Sequence, residues 1–153
     1  MRSACLLLMT ILSLQLFLGC STPTGPKVSQ NAKSSPSEVD ESPCRGVDRN
    51  ISEERKSVLA RAIAKQVNSS KIEVLRSFKS GSWTIVDVNP LESDEAFLFY
   101  ADEPATSRYL TLWSGAAKSN ENETVRDWTR QNAPNIPVNL ANCFAWYVTN
   151  DRR

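Results

Sequence analysis

From residue 44 onward the apolar and polar positions follow two periods. Val58, Leu59, Ala62, Ile63 and Val67 recur at helical spacing, with Arg55, Lys56, Arg61 and Lys65 on the other side, which predicts an amphipathic helix over 52–67. Ser52 followed by Glu53 and Glu54 is its start signal: the hydroxyl caps free amides and the carboxylates oppose the positive end of the dipole. Asn68 and two serines end it. Its basic side reads as the solvated back of a helix whose apolar stripe has a sheet to cover, in preference to a surface lying on anionic lipid.

The period then shortens to two. Ile72, Val74 and Phe78 alternate with Glu73, Ser77 and Lys79, the pattern of a half-buried strand. Ser80-Gly81 turns the chain into a second strand with Trp83, Ile85, Val86 and Val88, which Asn89-Pro90 ends. A third strand, 96–100, is apolar on both faces. After the turn Asp102-Glu103-Pro104 a fourth runs over 109–113 up to Gly115. Short connections make this an antiparallel meander. Asn120 with Glu123 resembles a capping box for a second helix over 121–131 that buries Val125 and Trp128 and stops before Pro134 and Pro137. The last segment, 138–149, reads as a helical turn and then an edge strand through Phe144, Trp146 and Val148. The fold class is α+β: an N-terminal amphipathic helix packed on a four- or five-stranded antiparallel meander, followed by a second helix and a short C-terminal element.

Before residue 44 the pattern is of another kind. Arg2 precedes an apolar run over 4–18, broken only at Thr10, Ser13 and Gln15. Spanning a bilayer takes roughly 20 apolar residues, so the run is short for a membrane helix and suits a secretory signal. It ends Leu16-Phe17-Leu18-Gly19-Cys20, which resembles the lipobox of bacterial lipoprotein signal peptides. The resemblance covers the leader alone. Gly19 and Cys20 match; Phe17 and Leu18 depart, since the family has leucine at the first place and a small or β-branched residue at the second. It implies removal of 1–19, fatty acylation (diacylglycerol and palmitate) of Cys20, and anchorage to a membrane. Ser21 directly after Cys20 resembles the outer-membrane class, facing the periplasm if the source is Gram-negative. An ordinary signal peptide cut after Ser21, with Gly19 and Ser21 as the small residues, is the alternative and would leave a secreted domain without lipid.

Residues 20–43 then form a tether rich in Ser, Thr and Pro, in which Val28 and Val39 are the only large apolar side chains. Such composition cannot offset the entropy of ordering. A flexible chain of that length spans about 25 Å, enough to lift a domain off a membrane surface. The remaining residues, 44–153, suffice for one domain and are too few for two.

Four cysteines occur in the 153 residues. Cys5 leaves with the leader, and under lipidation Cys20 is consumed, so Cys44 and Cys143 remain as a pair entering an oxidising space, where a disulfide is the expected outcome. With Arg2 removed, 17 basic residues face 17 acidic ones. A neutral chain lacks the electrostatic footprint of a nucleic-acid binder; the terminal Arg152 and Arg153 read as a solvated end.

Candidate chemistry is sparse. Histidine is absent, which removes the commonest general base, nucleophile activator and zinc ligand. Trp113-Ser114-Gly115 lacks the first glycine of a nucleophile elbow. The acidic groups Glu92, Asp94, Glu95 and Asp102, Glu103 flank the third strand at opposite ends, too far apart for a glycosidase pair. Asp94 and Glu95 lack calcium-loop spacing. Sequons at Asn50, Asn68 and Asn122 matter only in a eukaryotic source. The expectation is a protein that is not an enzyme and takes no cofactor or metal. Aromatic residues are the remaining lead: Trp83, Tyr100, Tyr109 and Trp113 are a candidate binding surface if the second face of the sheet stays open, and core if the C-terminal segment covers it.

Two functions fit this address: a protein-binding accessory or assembly factor of the cell envelope, or a periplasmic inhibitor or immunity protein acting on a hydrolase or toxin, with the acidic loops 91–95 or 102–103 inserted.

Overall fold

The computed structural model describes residues 42–152. The leader, the Cys20 lipidation site and nearly all of the tether lie outside the described residues, as does Arg153.

Helix α1 (Glu53–Val67) begins where the cap signal predicts, with the Ser52 hydroxyl accepting from the Arg55 N–H at 3.1 Å. Asn68, in the left-handed region at φ 53°, closes it, a conformation asparagine tolerates better than most residues. Strands β1 (Glu73–Ser80), β2 (Trp83–Asn89), β3 (Ala96–Tyr100) and β4 (Thr111–Ser114) follow as an antiparallel meander in the order β1-β2-β3-β4. Gly81 supplies the positive φ, 62°, at the β1–β2 hairpin. Helices α2 (Asn122–Asn132) and α3 (Val138–Trp146) complete the α+β fold. No helix among the described residues is long and apolar enough to cross a membrane.

The sheet is covered on both faces. On one, Leu59 and Ile63 of α1 pack on Ile72, Val74, Val86, Val88, Leu98 and Tyr100. On the other, Leu140, Ala141, Phe144 and Ala145 of α3, with Val125 of α2, pack on Phe78, Ile85, Phe97 and Phe99. Phe144 lies edge-on to Phe97, Phe99 and Trp113 at centroid distances of 5.1, 5.0 and 5.7 Å, the geometry the ring quadrupoles favour. Cys44 and Cys143 form the expected disulfide, tying the start of the domain to α3 across 99 residues of sequence.

Four expectations are corrected. Segment 144–149 is not an edge strand: Leu140, Ala141, Phe144, Ala145 and Val148 keep helical spacing through α3 and into a π-helical turn, Tyr147–Asp151. The alternation of Phe144, Trp146 and Val148 is incidental to a helix buried on most sides. Ile72, Val74 and Phe78 do not share a face, because a register shift between Val74 and Arg76 inserts one residue; Val74 lies under α1 and Phe78 under α3, as a bulge in a period-two element requires. Strand β4 starts two residues late, at Thr111, and Tyr109 packs instead edge-on against Tyr100 at 6.5 Å. The capping box lies two residues earlier, the Glu121 carboxylate accepting from the Lys118 N–H at 2.7 Å ahead of a 3₁₀ turn, Ser119–Glu121.

Candidate functional site

Strand β2 is buried along most of its length, and Asp87 is a carboxylate in the middle of it. The bulge in β1 sets Arg76 opposite Asp87, and the two form an ion pair at 3.3 Å in which the arginine is half exposed and the aspartate has no exposed surface. Asp87 lies on the α3 face, where the π-helical turn crosses the sheet. Its Oδ1 and the Tyr147 hydroxyl are both buried without a hydrogen-bond partner. Around them stand three cations: Arg76 over the Tyr147 ring at 5.4 Å, Arg49 over the same ring at 5.8 Å and paired with Asp151 at 3.1 Å, and Arg152 over the Phe97 ring at 4.8 Å. Arg152 also donates to Glu95 Oε2 at 3.1 Å and to the Gly115 carbonyl at 2.6 Å. Arg152 is therefore a built-in part of the fold and not the solvated terminus its position suggests.

Burial pushes the Asp87 carboxyl up from 3.8 to about 6; the Arg152 and Arg76 charges oppose the rise without cancelling it, and Glu95 adds to it. Burial likewise raises the Tyr147 and Tyr100 phenols. Glu103 goes the other way: desolvation would raise it, but hydrogen bonds from Arg55 and the Ala105 N–H hold it below the usual range. Buried carboxylates that cost stability and π-helical turns both concentrate at functional sites. Asp87 has no exposed surface, so a ligand has no direct path to its carboxylate, and Arg76, paired with Asp87 and stacked over the Tyr147 ring, ties the C-terminal turn to the sheet.

The accessible surface at that end of the sheet belongs to the β2–β3 loop, 90–95. The Asn89 side chain accepts from the Leu91 N–H at 2.9 Å, and the Glu92 N–H donates to the Pro90 carbonyl at 2.7 Å. With Leu91 at φ 61°, this is the geometry of the rare, strained γ-turn. The leucine so held is 50% exposed. Glu92, Asp94 and Glu95 follow it; Glu92 accepts from the Ser70 hydroxyl at 2.8 Å. Open clefts lie on both sides of the loop, one bounded by Glu95, Gly115, Ala116 and Arg152, the other by Val67, Val88, Ala96, Leu98 and Leu112, and Asp94 borders both.

The four candidate aromatic residues do not form a common surface. Trp83 lies in the core beneath α3 and Tyr100 beneath α1, where its hydroxyl donates to Gln66 at 3.2 Å. Tyr109 and Trp113 are partly buried on opposite faces. The acidic loops 91–95 and 102–103 leave opposite ends of β3, and Glu103 is occupied by Arg55. No cluster of three or more Cys, Asp or Glu among the described residues could hold a metal ion. Sequence reasoning passed over Asp87 and Leu91. The signal for the first was one charge inside the run Trp83-Thr84-Ile85-Val86-Asp87-Val88; the second had none, since its strain is set by two neighbouring hydrogen bonds. Comparison of the chain with protein-family models, curated proteins and solved structures finds no match to any of the three.

Proposed function

We propose that this chain is a lipid-anchored protein of the cell envelope, held through Cys20 in the outer membrane and facing the periplasm, whose domain binds another envelope protein as an accessory or assembly factor. The lipobox-like leader, the tether and the Cys44–Cys143 bond support the address, since disulfides persist in oxidising compartments. One observation carries the binding role: Leu91 is half exposed, held at positive φ, and followed by the carboxylates Glu92, Asp94 and Glu95. A branched side chain in that conformation costs about 1–2 kcal/mol, and half of the Leu91 side chain stays open to solvent at the mouth of a groove lined by Ala60, Ile72 and Val74. Contact with a partner would cover that half.

The same strained loop favours a second reading, an inhibitor or immunity protein that inserts 91–95 into an arriving hydrolase or toxin. Affinity capture from solubilised membranes separates them. Co-purification of a resident envelope protein that is lost with Leu91→Asp supports the first; capture only of added hydrolases or toxins supports the second; capture unchanged by Leu91→Asp refutes the role of the loop. Cys20→Ser tests the anchor, with release from the membrane fraction as the expected result and unchanged retention as the contrary one.

A further inference from the structure

The basic side of α1, which the helical period leaves to solvent, is not one surface. Arg55 is paired with Glu103 and Lys56 with Glu53. Arg61 and Lys65, four residues apart and so on one face, are exposed and form no ion pair among the described residues. They line an open groove of about 910 Å³ between α1 and the segment 105–108. Arg108 borders the groove from that segment, also exposed and without an ion pair among the described residues. The segment is fixed in place: the half-buried Gln66 side chain donates to the carbonyls of Pro104 at 3.2 Å and Ser107 at 2.9 Å, and accepts from the Tyr100 hydroxyl at 3.2 Å. No carboxylate lines this groove. The clefts beside Leu91, Asp94 and Asp48 each carry at least one. Two neighbouring acids are turned to other partners, Glu92 to Ser70 and Glu103 to Arg55.

We propose that this groove is a binding site for a phosphate-bearing ligand, with Arg61, Lys65 and Arg108 as its cationic walls. In a chain of balanced charge, three like charges gathered around one concavity repel one another, and an anion seated between them relieves the repulsion. Their number and placement select the class of anion. A carboxylate brings one charge and two oxygens, which a single arginine fork satisfies. A phosphate monoester or a diphosphate brings about two charges or more and at least three acceptor oxygens, enough to engage cations from both walls. A flat anionic bilayer fits less well: Glu54, seven residues before Arg61 on the same helical face, and Glu92 beside Ser70 are both exposed and would meet it with their own charge. A compact ligand held within the groove avoids both. Leu91 does not border this groove, so the site stands whether or not the 90–95 loop meets a protein.

Isothermal titration of the full chain in uncharged detergent at low salt, with inorganic pyrophosphate as the probe, tests the proposal. Three charge-assisted contacts predict a dissociation constant between about 10 µM and 1 mM, rising as salt is added. Arg61→Ala, Lys65→Ala and Arg108→Ala are each expected to weaken binding about tenfold; the three side chains have no ion-pair partner among the described residues, so the domain stays intact without them. Arg130→Ala, at an exposed cation on α2 outside the groove, is expected to change nothing, and citrate, a carboxylate anion of similar charge, to bind about tenfold more weakly than pyrophosphate or worse. Micelles containing phosphatidic acid, a phosphate monoester, read whether a lipid headgroup is the source: binding to them that the same three substitutions weaken assigns the site to a lipid phosphate, and binding to pyrophosphate alone assigns it to a soluble one. No binding to either probe up to about 10 mM phosphate, citrate binding as tightly as pyrophosphate, equal loss from Arg130→Ala, or equal binding to phosphatidic acid and to the singly charged phosphatidylglycerol would each overturn the proposal, the last by pointing to a broad anionic surface.

Discussion

Replacing Asp87 with asparagine should make the domain more stable at neutral pH, although it deletes an ion pair. Asp87 is raised from 3.8 to about 6 by burial, against the opposing charges of Arg152 and Arg76. Its proton is therefore held more tightly in the folded state than in the unfolded one. The stability this contributes is fully present below about pH 4, falls as pH rises through about 6, and is absent above. At about 1.4 kcal/mol per pH unit the interval amounts to ~3 kcal/mol. Asparagine has the shape of the neutral acid and never ionises, so Asp87→Asn should match the native domain at pH 4 and exceed it by up to ~3 kcal/mol at pH 8. For a domain of this size that is on the order of 10 °C in Tm. Urea denaturation of both proteins at half-unit steps from pH 4 to pH 8 measures it. The opposite sign, a variant several kcal/mol less stable at pH 8, is what loss of a net-favourable buried pair produces, and it would refute the reasoning that desolvation outweighs the two arginines.

Three further outcomes follow from the same geometry. Cys44→Ala with Cys143→Ala opens a closure of 99 residues and should lower stability in urea by roughly 4–5 kcal/mol on the chain-entropy account; a loss under about 1 kcal/mol would contradict it. Leu91→Gly relieves the positive φ and should raise stability by ~0.5–1 kcal/mol after the entropy of glycine is counted, while weakening partner capture; a destabilised variant would mean that Leu91 serves the fold. Ser52→Ala removes the cap on Arg55 N–H and should cost about 1 kcal/mol in thermal denaturation, with no change in capture.

The parts of the fold legible in the sequence are those whose signals are local. Ser52, Glu53 and Glu54 mark the start of α1, and Gly81 and the Asn89-Pro90 step punctuate the strands. Cysteine parity gives the disulfide. What was not legible depends on contacts distant in sequence. A residue inserted between Val74 and Arg76 leaves no compositional trace, yet it sends Phe78 to the opposite face and Arg76 to Asp87. The helix α3 was obscured because a helix buried on most sides loses its polar stripe, and short apolar runs then fit either period. Arg152 looked like a loose end because its partners Glu95 and Gly115 lie 57 and 37 residues away. The aromatic residues pointed to a surface by composition, but the α3 face takes up Trp83 and Trp113 and the α1 face Tyr100 and Tyr109.

The proposed binding role requires Leu91 to meet another protein. A photoreactive residue at position 91 in cells, compared with the same residue at the exposed position 130 on α2, tests this most directly. A discrete adduct with one envelope protein from position 91, absent from position 130, is the predicted result. Equal, diffuse labelling from both positions, or none from either, would contradict it.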